Sequence, residues 1–206
     1  MKAATIRNYG GPEVIQIEEV RKLDPKSGEV RVKVHASTVT AGAVLVRRGA
    51  HPTNKVFTPL IRLFFGLFKP RNPIAGNEFA GEVEALGVGV TDYDIGDRVF
   101  GTTTGLKQGC YAQFVCVPVS WKQGVMEKLP ETVTYGQGAA LPIGAMTAHD
   151  LLRKVVITES SNLMVYGASG SVGTNMVQLA KYRGAKVTAI CSDKNMELVK
   201  NLGADI

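Results

Sequence analysis

From Glu29 to Ala36 the chain runs Glu-Val-Arg-Val-Lys-Val-His-Ala, apolar at every second position. That period of two is the pattern of a strand buried on one face. Turn residues Gly10-Gly11-Pro12 and Pro25-Lys26-Ser27-Gly28 bracket an earlier strand near Val14 to Ile17. Further strands are predicted at Phe79 to Leu86, Arg98 to Phe100 and Tyr111 to Val117. Many short strands between Gly-rich turns predict a barrel or a sandwich for this part of the chain. The pattern changes near Thr134. Thr134-x-x-Gln137 has the spacing of a capping box, and a helix is predicted through Ala139 and Leu141 to Leu152, kinked or split by Pro142. A strand, Asn162 to Tyr166, leads through a glycine-rich turn into a helix from about Val172 to Tyr182. Its apolar face is predicted at Val172, Met176, Leu179 and Ala180. A second strand, Lys186 to Cys191, and a second helix, Lys194 to Leu202, complete a β-α-β-α run.

The turn Gly167-Ala168-Ser169-Gly170-Ser171-Val172-Gly173 carries the most chemistry. Against G-x-G-x-x-G the first glycine is Ala168, Gly170 and Gly173 hold, and Gly167 adds a glycine one place earlier. A dinucleotide site needs a tight turn, a position without a side chain where backbone meets pyrophosphate, and a small residue where helix meets strand. The helix that follows directs its first N–H groups and its dipole at the phosphates. A flexible connector is the plain alternative. Placement between an apolar strand and an amphipathic helix favours the dinucleotide. The cofactor's ribose is read at the end of the second strand, where an acidic residue selects NAD. That position is Cys191, followed by Ser192-Asp193-Lys194. A neutral residue there leaves room for a 2′-phosphate, with a hydrogen bond from Ser192 and a charge from Lys194. Asp193 opposes this, although it also sits where an N-cap for the next helix belongs. NADP (NADPH) is therefore favoured over NAD.

Composition narrows the field. Hydrophobic residues make up 45% and charged residues 20%, which places the chain among globular proteins rather than disordered ones. The net charge of +6 is spread without a run of five basic residues, so no nucleic-acid partner is expected. Cys110, Cys116 and Cys191 form no C-x-x-C pair and fit neither a disulfide framework nor a zinc lobe. The N-terminus lacks the pattern of a signal peptide, so a reducing, cytoplasmic setting is expected. The most apolar stretch, Leu60 to Phe68, contains Arg62 and falls short of the ~20 residues that span a bilayer.

A series of short motifs then comes together. Val34-His35-Ala36-Ser37 leads to Val39-Thr40-Ala41-Gly42 and Arg47-x-Gly49. Gly76-Asn77-Glu78-Phe79-Ala80-Gly81-Glu82-Val83 and Gly96-Asp97-Arg98-Val99-Phe100-Gly101 follow, then Tyr111-Ala112-Gln113-Phe114, Ala139-Ala140-Leu141-Pro142 and Thr147-Ala148. The glycine turn and Leu202-Gly203-Ala204-Asp205 close the series. Over essentially its whole length the chain resembles the zinc-free, quinone oxidoreductase-like branch of the medium-chain dehydrogenase/reductases. The resemblance implies an α/β protein. A co-chaperonin-like β-barrel substrate domain spans 1–125, a connecting helical segment 126–152, and the first βαβα of a Rossmann domain, incomplete, 153–206. It also implies an active site in the cleft beside the Rossmann domain.

Zinc-using relatives carry a Cys where Thr40 lies and a His at Asn77; with neither present, no metal is expected, since a catalytic zinc needs three protein ligands. Without that Lewis acid, the resemblance implies hydride transfer from NADPH to a small apolar quinone or the activated C=C of an enone. Thr40 is the candidate hydrogen-bond donor. Arg47 is its candidate neighbour, with a structural salt bridge as the alternative. Thr147 is the residue expected against the nicotinamide, and Gly167, Ala168, Ser169, Gly170, Ser171, Val172, Gly173, Ser192 and Lys194 bind the dinucleotide. His35 and His149 are read as structural, and Cys110 and Cys116 as small buried residues of one strand. Ala43 departs from relatives, many of which carry Asp there. Leu60 to Phe68 resembles an insertion bordering the substrate site, either a core helix or a mobile apolar lid. A homodimer is expected for the complete protein. Two other functions stay open: a non-enzymatic NADPH-binding regulatory protein, and an inactive fragment, because the run stops after two Rossmann strands where about six are usual.

Overall fold

A computed structural model describes residues 1–51, 53–103, 108–120 and 125–206. Contacts divide the chain into Met1–Ala139 and Ala140–Ile206. The expected connecting segment 126–152 is shared between these units.

The first unit contains β1 (Lys2–Ile6), β2 (Ile15–Glu19), β3 (Glu29–Ser37), α1 (Ala41–Arg48), α2 (Thr58–Phe65), β4 (Glu78–Leu86), β5 (Arg98–Thr102), β6 (Phe114–Pro118), β7 (Val125–Lys128) and α3 (Tyr135–Ala140). Five strands form an antiparallel sheet in the order β6-β3-β4-β5-β7. Its register shifts between Arg31 and Val32 and again between Val34 and Ala36. Such bulges bend and twist a strand, and this sheet is curled into a half-barrel. β1 and β2 make a separate antiparallel ribbon, tied on by bridges from Ala3 to Ala112 and from Thr5 to Ile74. The alternation read from β3 is realised: Val30 and Val32 are fully buried and pack with Phe79, Val83, Val99, Val115 and Val117. Burial of each valine contributes roughly 1.5–3 kcal/mol.

α1 was signalled by residues whose capping role the sequence reading passed over. Thr40 caps its N-terminus by accepting from the Ala43 N–H at 3.1 Å. Gly49 ends it in the left-handed region, φ 58°, where a Cβ would lie 2.4 Å from the Tyr9 ring. Only glycine meets both demands.

Three expectations for this unit change. Tyr111 to Gln113 do not continue β6. The Tyr111 N–H bonds Ala75, its carbonyl accepts from Ala4, and its hydroxyl donates to the Thr38 carbonyl at 2.8 Å. The segment therefore serves β1 and the loop before β4. Cys110 accordingly lies outside the strand that holds Cys116. The Leu60–Phe68 stretch is not a core helix: within α2 only Ile61 is buried, and Leu60, Leu63 and Phe64 face outward.

The second unit contains α4 (Pro142–Leu152), β8 (Asn162–Tyr166), α5 (Ser171–Tyr182), β9 (Lys186–Ile190) and α6 (Met196–Asn201). Pro142 splits the predicted helix as expected, standing in the first turn of α4. There its missing N–H has no helical partner to lose. The capping box at α3 is present on both sides: Thr134 N donates to Gln137 Oε1 at 2.9 Å and Gln137 N to Thr134 Oγ1 at 3.3 Å. β8 and β9 pair in parallel, Asn162 opposite Lys186 through Tyr166 opposite Ile190, with α5 as the crossover.

The buried face of α5 is Gly173, Val177 and Ala180; of the predicted stripe at Val172, Met176, Leu179 and Ala180, Ala180 is buried and Met176 packs at the edge of the core, while Gly173 and Val177 take the centre of the face. The close approach at Gly173 sets the rotation. The last helix begins as a 3₁₀ turn over Asp193–Asn195 before α6. Asp205 explains the closing Leu-Gly-Ala-Asp motif. Its carboxylate accepts from the Val187 N–H at 2.6 Å and from Lys181 Nζ at 2.9 Å, and these bonds hold its pKa below the usual range. It thereby ties the chain after α6 to both β9 and α5.

The half-barrel core centres on Phe79, which is fully buried. Phe79→Ala should cost about 3–5 kcal/mol of stability, read as a lowered urea midpoint. A loss under 1 kcal/mol would show that the sheet does not close around this ring.

Candidate functional site

β8 delivers the chain to Gly167, whose φ of 73° turns it back sharply. The N–H groups of Gly167 and Ala168 both donate to the Ile190 carbonyl, at 2.9 and 3.0 Å. The glycine turn is thus pinned to the end of the second strand, the place where a cofactor's ribose is read. The Gly170 N–H closes the turn onto the Gly167 carbonyl at 3.0 Å. Gly170 is the N-cap of α5, extended and without a capping side chain. The N–H groups of Ser171, Val172 and Gly173 have no acceptor within the helix, and Gly170 and Ser171 are exposed. The cap is an open set of donors at the positive end of a helix dipole.

Gly173 makes that geometry possible. A Cβ there would lie 2.3 Å from the Gly167 carbonyl oxygen and 2.7 Å from the Ala168 Cα. Ala168 is itself fully buried. α5 can seat on the turn only with hydrogen at this position, and so the residues present fit a dinucleotide pyrophosphate.

Ser192 and Lys194 are exposed just beyond β9, as is Asp193. Asp193 is not an N-cap: it lies inside the 3₁₀ turn, with Ser192 at the cap position and no side-chain cap bond. Asn195, which the sequence reading left without a role, joins the two halves of the site. Its Nδ2 donates to Ser169 Oγ at 3.0 Å and to Ser192 Oγ at 3.1 Å. Each hydroxyl oxygen is then occupied as an acceptor, and its proton is available to a ligand. Asn at this distance from the turn has no pattern of its own; only the fold brings it across.

α4 borders the same turn. A Cβ on Gly144 would meet Ser171 Oγ at 2.4 Å, so this glycine lets α4 pack against the start of α5. Thr147 stands one turn further along α4 and is exposed. Gly144 was a second omission, signalled only by a glycine within a helix.

The remaining candidates lie in the first unit. The capping bond from Ala43 occupies the Thr40 hydroxyl oxygen as an acceptor and leaves its proton to donate. Arg47 is buried, and its Nη1 donates to the Gly10 carbonyl at 3.4 Å, while Gly10 N donates to the Arg47 carbonyl. Its bond is to backbone rather than to the carboxylate that the alternative reading, a structural salt bridge, would require. Ala43, the position where the family resemblance implies an Asp in many relatives, is buried. The Asn77 carbonyl accepts from Thr103 N at 2.6 Å, and buried Glu78 accepts from the Thr38 hydroxyl. Among the described residues no three His, Cys, Asp or Glu side chains gather as a metal site would require.

His35 is exposed and stacks on Tyr135 with ring centroids 4.5 Å apart; His149 is exposed on α4. Burial pushes the Cys110 thiol up to about 12 and the Cys116 thiol to about 11, which favours the protonated thiol over the nucleophilic thiolate near neutral pH.

Comparison with known proteins agrees with this arrangement. The family profile described as "Alcohol dehydrogenase GroES-like domain" matches residues 26–131. The chloroplastic quinone-oxidoreductase homolog of Spinacia oleracea is 33% identical over all of this chain and 60% of its own length. The human mitochondrial NAD(P)H oxidoreductase RTN4IP1 is 34% identical over all of this chain and 52% of its own. Among solved structures, the quinone oxidoreductase of Coxiella burnetii superposes with a TM-score of 0.82 at 26% identity, covering 100% of this chain and 61% of that one. Mycobacterial Rv1454c complexed with NADPH gives a TM-score of 0.76 at 29% identity, covering 100% and 58%. The chain thus spans little more than half the length of these relatives. It belongs to the medium-chain dehydrogenase/reductase family, in the quinone oxidoreductase-like branch.

Proposed function

We propose that this chain carries the cofactor turn and a substrate-side hydrogen-bond donor of a zinc-independent NADPH-dependent reductase. Its substrates would be small apolar quinones or the activated C=C bond of enones. The observation that carries this is the open N-terminus of α5, seated against the Gly167 carbonyl because Gly173 has no side chain. The relatives' printed names, quinone oxidoreductase and NAD(P)H oxidoreductase, support the reaction class.

When bound, a reduced nicotinamide supplies a hydride to an electron-poor carbon. The chain's own residues do the rest. Backbone N–H groups from Ser171 to Gly173, with the Ser169 and Ser171 hydroxyls, would hold the pyrophosphate. Thr147 would meet the nicotinamide. Ser192 and Lys194 would hold the 2′-phosphate, with Asn195 orienting Ser192 through the bond to its hydroxyl. Thr40 donates its hydroxyl proton to the substrate oxygen on which negative charge develops, a stabilisation that positioned donors supply without a metal. Arg47 positions Thr40 by binding the end of α1 to the Gly10 turn. Three free cysteines suit a reducing, cytoplasmic setting, and a homodimer of the complete protein belongs to the same proposal. One observation favours a second reading, a non-catalytic NADPH-binding protein: Ala43 is buried where relatives carry a carboxylate, so that group has no counterpart at this position.

The direct test, made on the complete protein, is to measure NADPH and NADH binding by fluorescence and turnover of a simple quinone. The expected outcome is tighter binding of NADPH, measurable two-electron reduction, and well under one zinc per chain by elemental analysis. Binding with no turnover of any quinone or enone would favour the second reading, and one tightly held zinc would contradict the metal-free one.

Lys194→Ala should weaken NADPH by about 1–3 kcal/mol, the size of a charge-assisted hydrogen bond, and leave NADH nearly unchanged. Equal losses for both cofactors would remove Lys194 from the 2′-phosphate site.

Gly173→Val should abolish binding of both cofactors, because the side chain must displace backbone. Asn195→Ala should weaken NADPH more than NADH while the melting temperature stays close to the parent value. Unchanged NADPH affinity in Asn195→Ala would show that the bridge to Ser169 and Ser192 does not orient the site.

A further inference from the structure

α2 and the turn after it invert the usual arrangement of a surface helix. Residues at i, i+3, i+4 and i+7 normally turn inward. Here Leu60, Leu63 and Phe64 have the i, i+3, i+4 spacing on α2 and are exposed; Leu67 and Phe68, beyond the Gly66 that ends the helix, are exposed as well, Phe68 at 90%, as is Val56 before it at 82%. The inward side is held by other means. Ile61 is buried, Arg62 Nε donates to the Gly49 carbonyl at 3.1 Å, and the Tyr9 hydroxyl donates to the Gly66 carbonyl at 2.6 Å. Arg71 N returns to the Phe65 carbonyl at 2.8 Å. The apolar stripe is therefore an anchored feature of the first unit. An exposed contiguous apolar patch of this kind marks a binding face.

Charge indicates what it binds. From Val30 to Asn77 the sequence has eight Lys and Arg residues and no Asp or Glu. The remainder of the chain then holds 24 − 8 = 16 basic against 18 acidic residues, a net −2, so the whole positive excess of the protein resides in this segment. Lys69 and Arg71 are exposed immediately beside Phe68, and Arg48 is exposed at the end of α1, next to the Gly49 carbonyl that Arg62 binds. Leu and Phe on one face, flanked by cations and free of acidic residues, form the composition of a helix that lies in a lipid headgroup layer. Polybasic segments of this kind are drawn to anionic lipid.

We propose that the outward face of α2 and the Leu67–Arg71 turn dock on an anionic lipid surface, with Leu63, Phe64 and Phe68 entering the headgroup boundary and Lys69 and Arg71 meeting lipid phosphates. The inference rests on this surface alone and holds whether or not the reductase reading is correct.

The test is co-sedimentation of the 206-residue chain with vesicles of phosphatidylcholine and phosphatidylglycerol, alongside vesicles of phosphatidylcholine alone. Binding is expected to the anionic vesicles only, and to fall as salt is raised. Phe68→Ser and Lys69→Glu alter residues that are exposed and hold no part of the fold. Each should reduce partitioning by about fivefold or more, the effect of roughly one interfacial charge or its apolar equivalent. An unchanged circular dichroism spectrum and melting temperature would confirm that both variants fold. No binding at low salt, equal binding to neutral vesicles, or unaltered binding by both variants would each overturn the proposal. So would a concentration-dependent dimer in ultracentrifugation that Phe68→Ser converts to monomer, since that would place a second copy on this face.

Discussion

The contact between Gly173 and the carbonyl of Gly167 is the constraint on which the cofactor side of this protein depends. A side chain of any size at position 173 would lie within 2.3 Å of that oxygen. With hydrogen there, α5 sits down on the turn and buries the face Gly173, Val177 and Ala180. Its first N–H groups then project from an open cap. The same turn is held to the end of β9 by two bonds to the Ile190 carbonyl. One close approach thus fixes the rotation of the helix, the aim of its dipole and the separation between the positions proposed for the pyrophosphate and the ribose.

The first unit uses a different device. Bulges in β3 curl an antiparallel sheet around Phe79 and a set of valines. The chain leaving β3 reaches Thr40, which caps α1 and keeps its own proton to give. A hydroxyl that is already an acceptor has its donor direction restricted, which is what a group stabilising developing charge requires. Arg47, at the other end of α1, is committed to the backbone of the Gly10 turn. Capping and anchoring residues therefore coincide with the positions that the family resemblance marks as functional.

Elements with a regular period were legible in the sequence: β3, β8, α5 and the split at Pro142 all follow from local pattern. The glycine turn was legible because its residue types have few other uses at that spacing. What escaped was set by distant parts of the chain. Tyr111 to Gln113 read as a continuation of the strand of β6, yet Tyr111 bonds Ala4 of β1 and Ala75 before β4, and Gln113 is shared between Lys2 of β1 and Val34 of β3. The face of α5 shares Ala180 with the predicted stripe but centres on Gly173 and Val177, because a glycine, invisible to a hydrophobic count, makes the close contact with the turn. Asn195 and Gly144 have no local signature, and their roles come from what the fold sets beside them. Sequence leaves α2 open between a core helix and an apolar lid; the exposure of its outward face excludes the core helix, and the supports that hold the helix are polar groups of Tyr9, Gly49 and Arg62.

Backbone amide NMR of the complete protein titrated with NADPH tests the central claim most directly. The account predicts shifts concentrated at Ser169 to Gly173, with a second group at Ser192 to Asn195. Binding that leaves the Ser171, Val172 and Gly173 amides unmoved would contradict it, because the cap of α5 would then not be where the pyrophosphate sits.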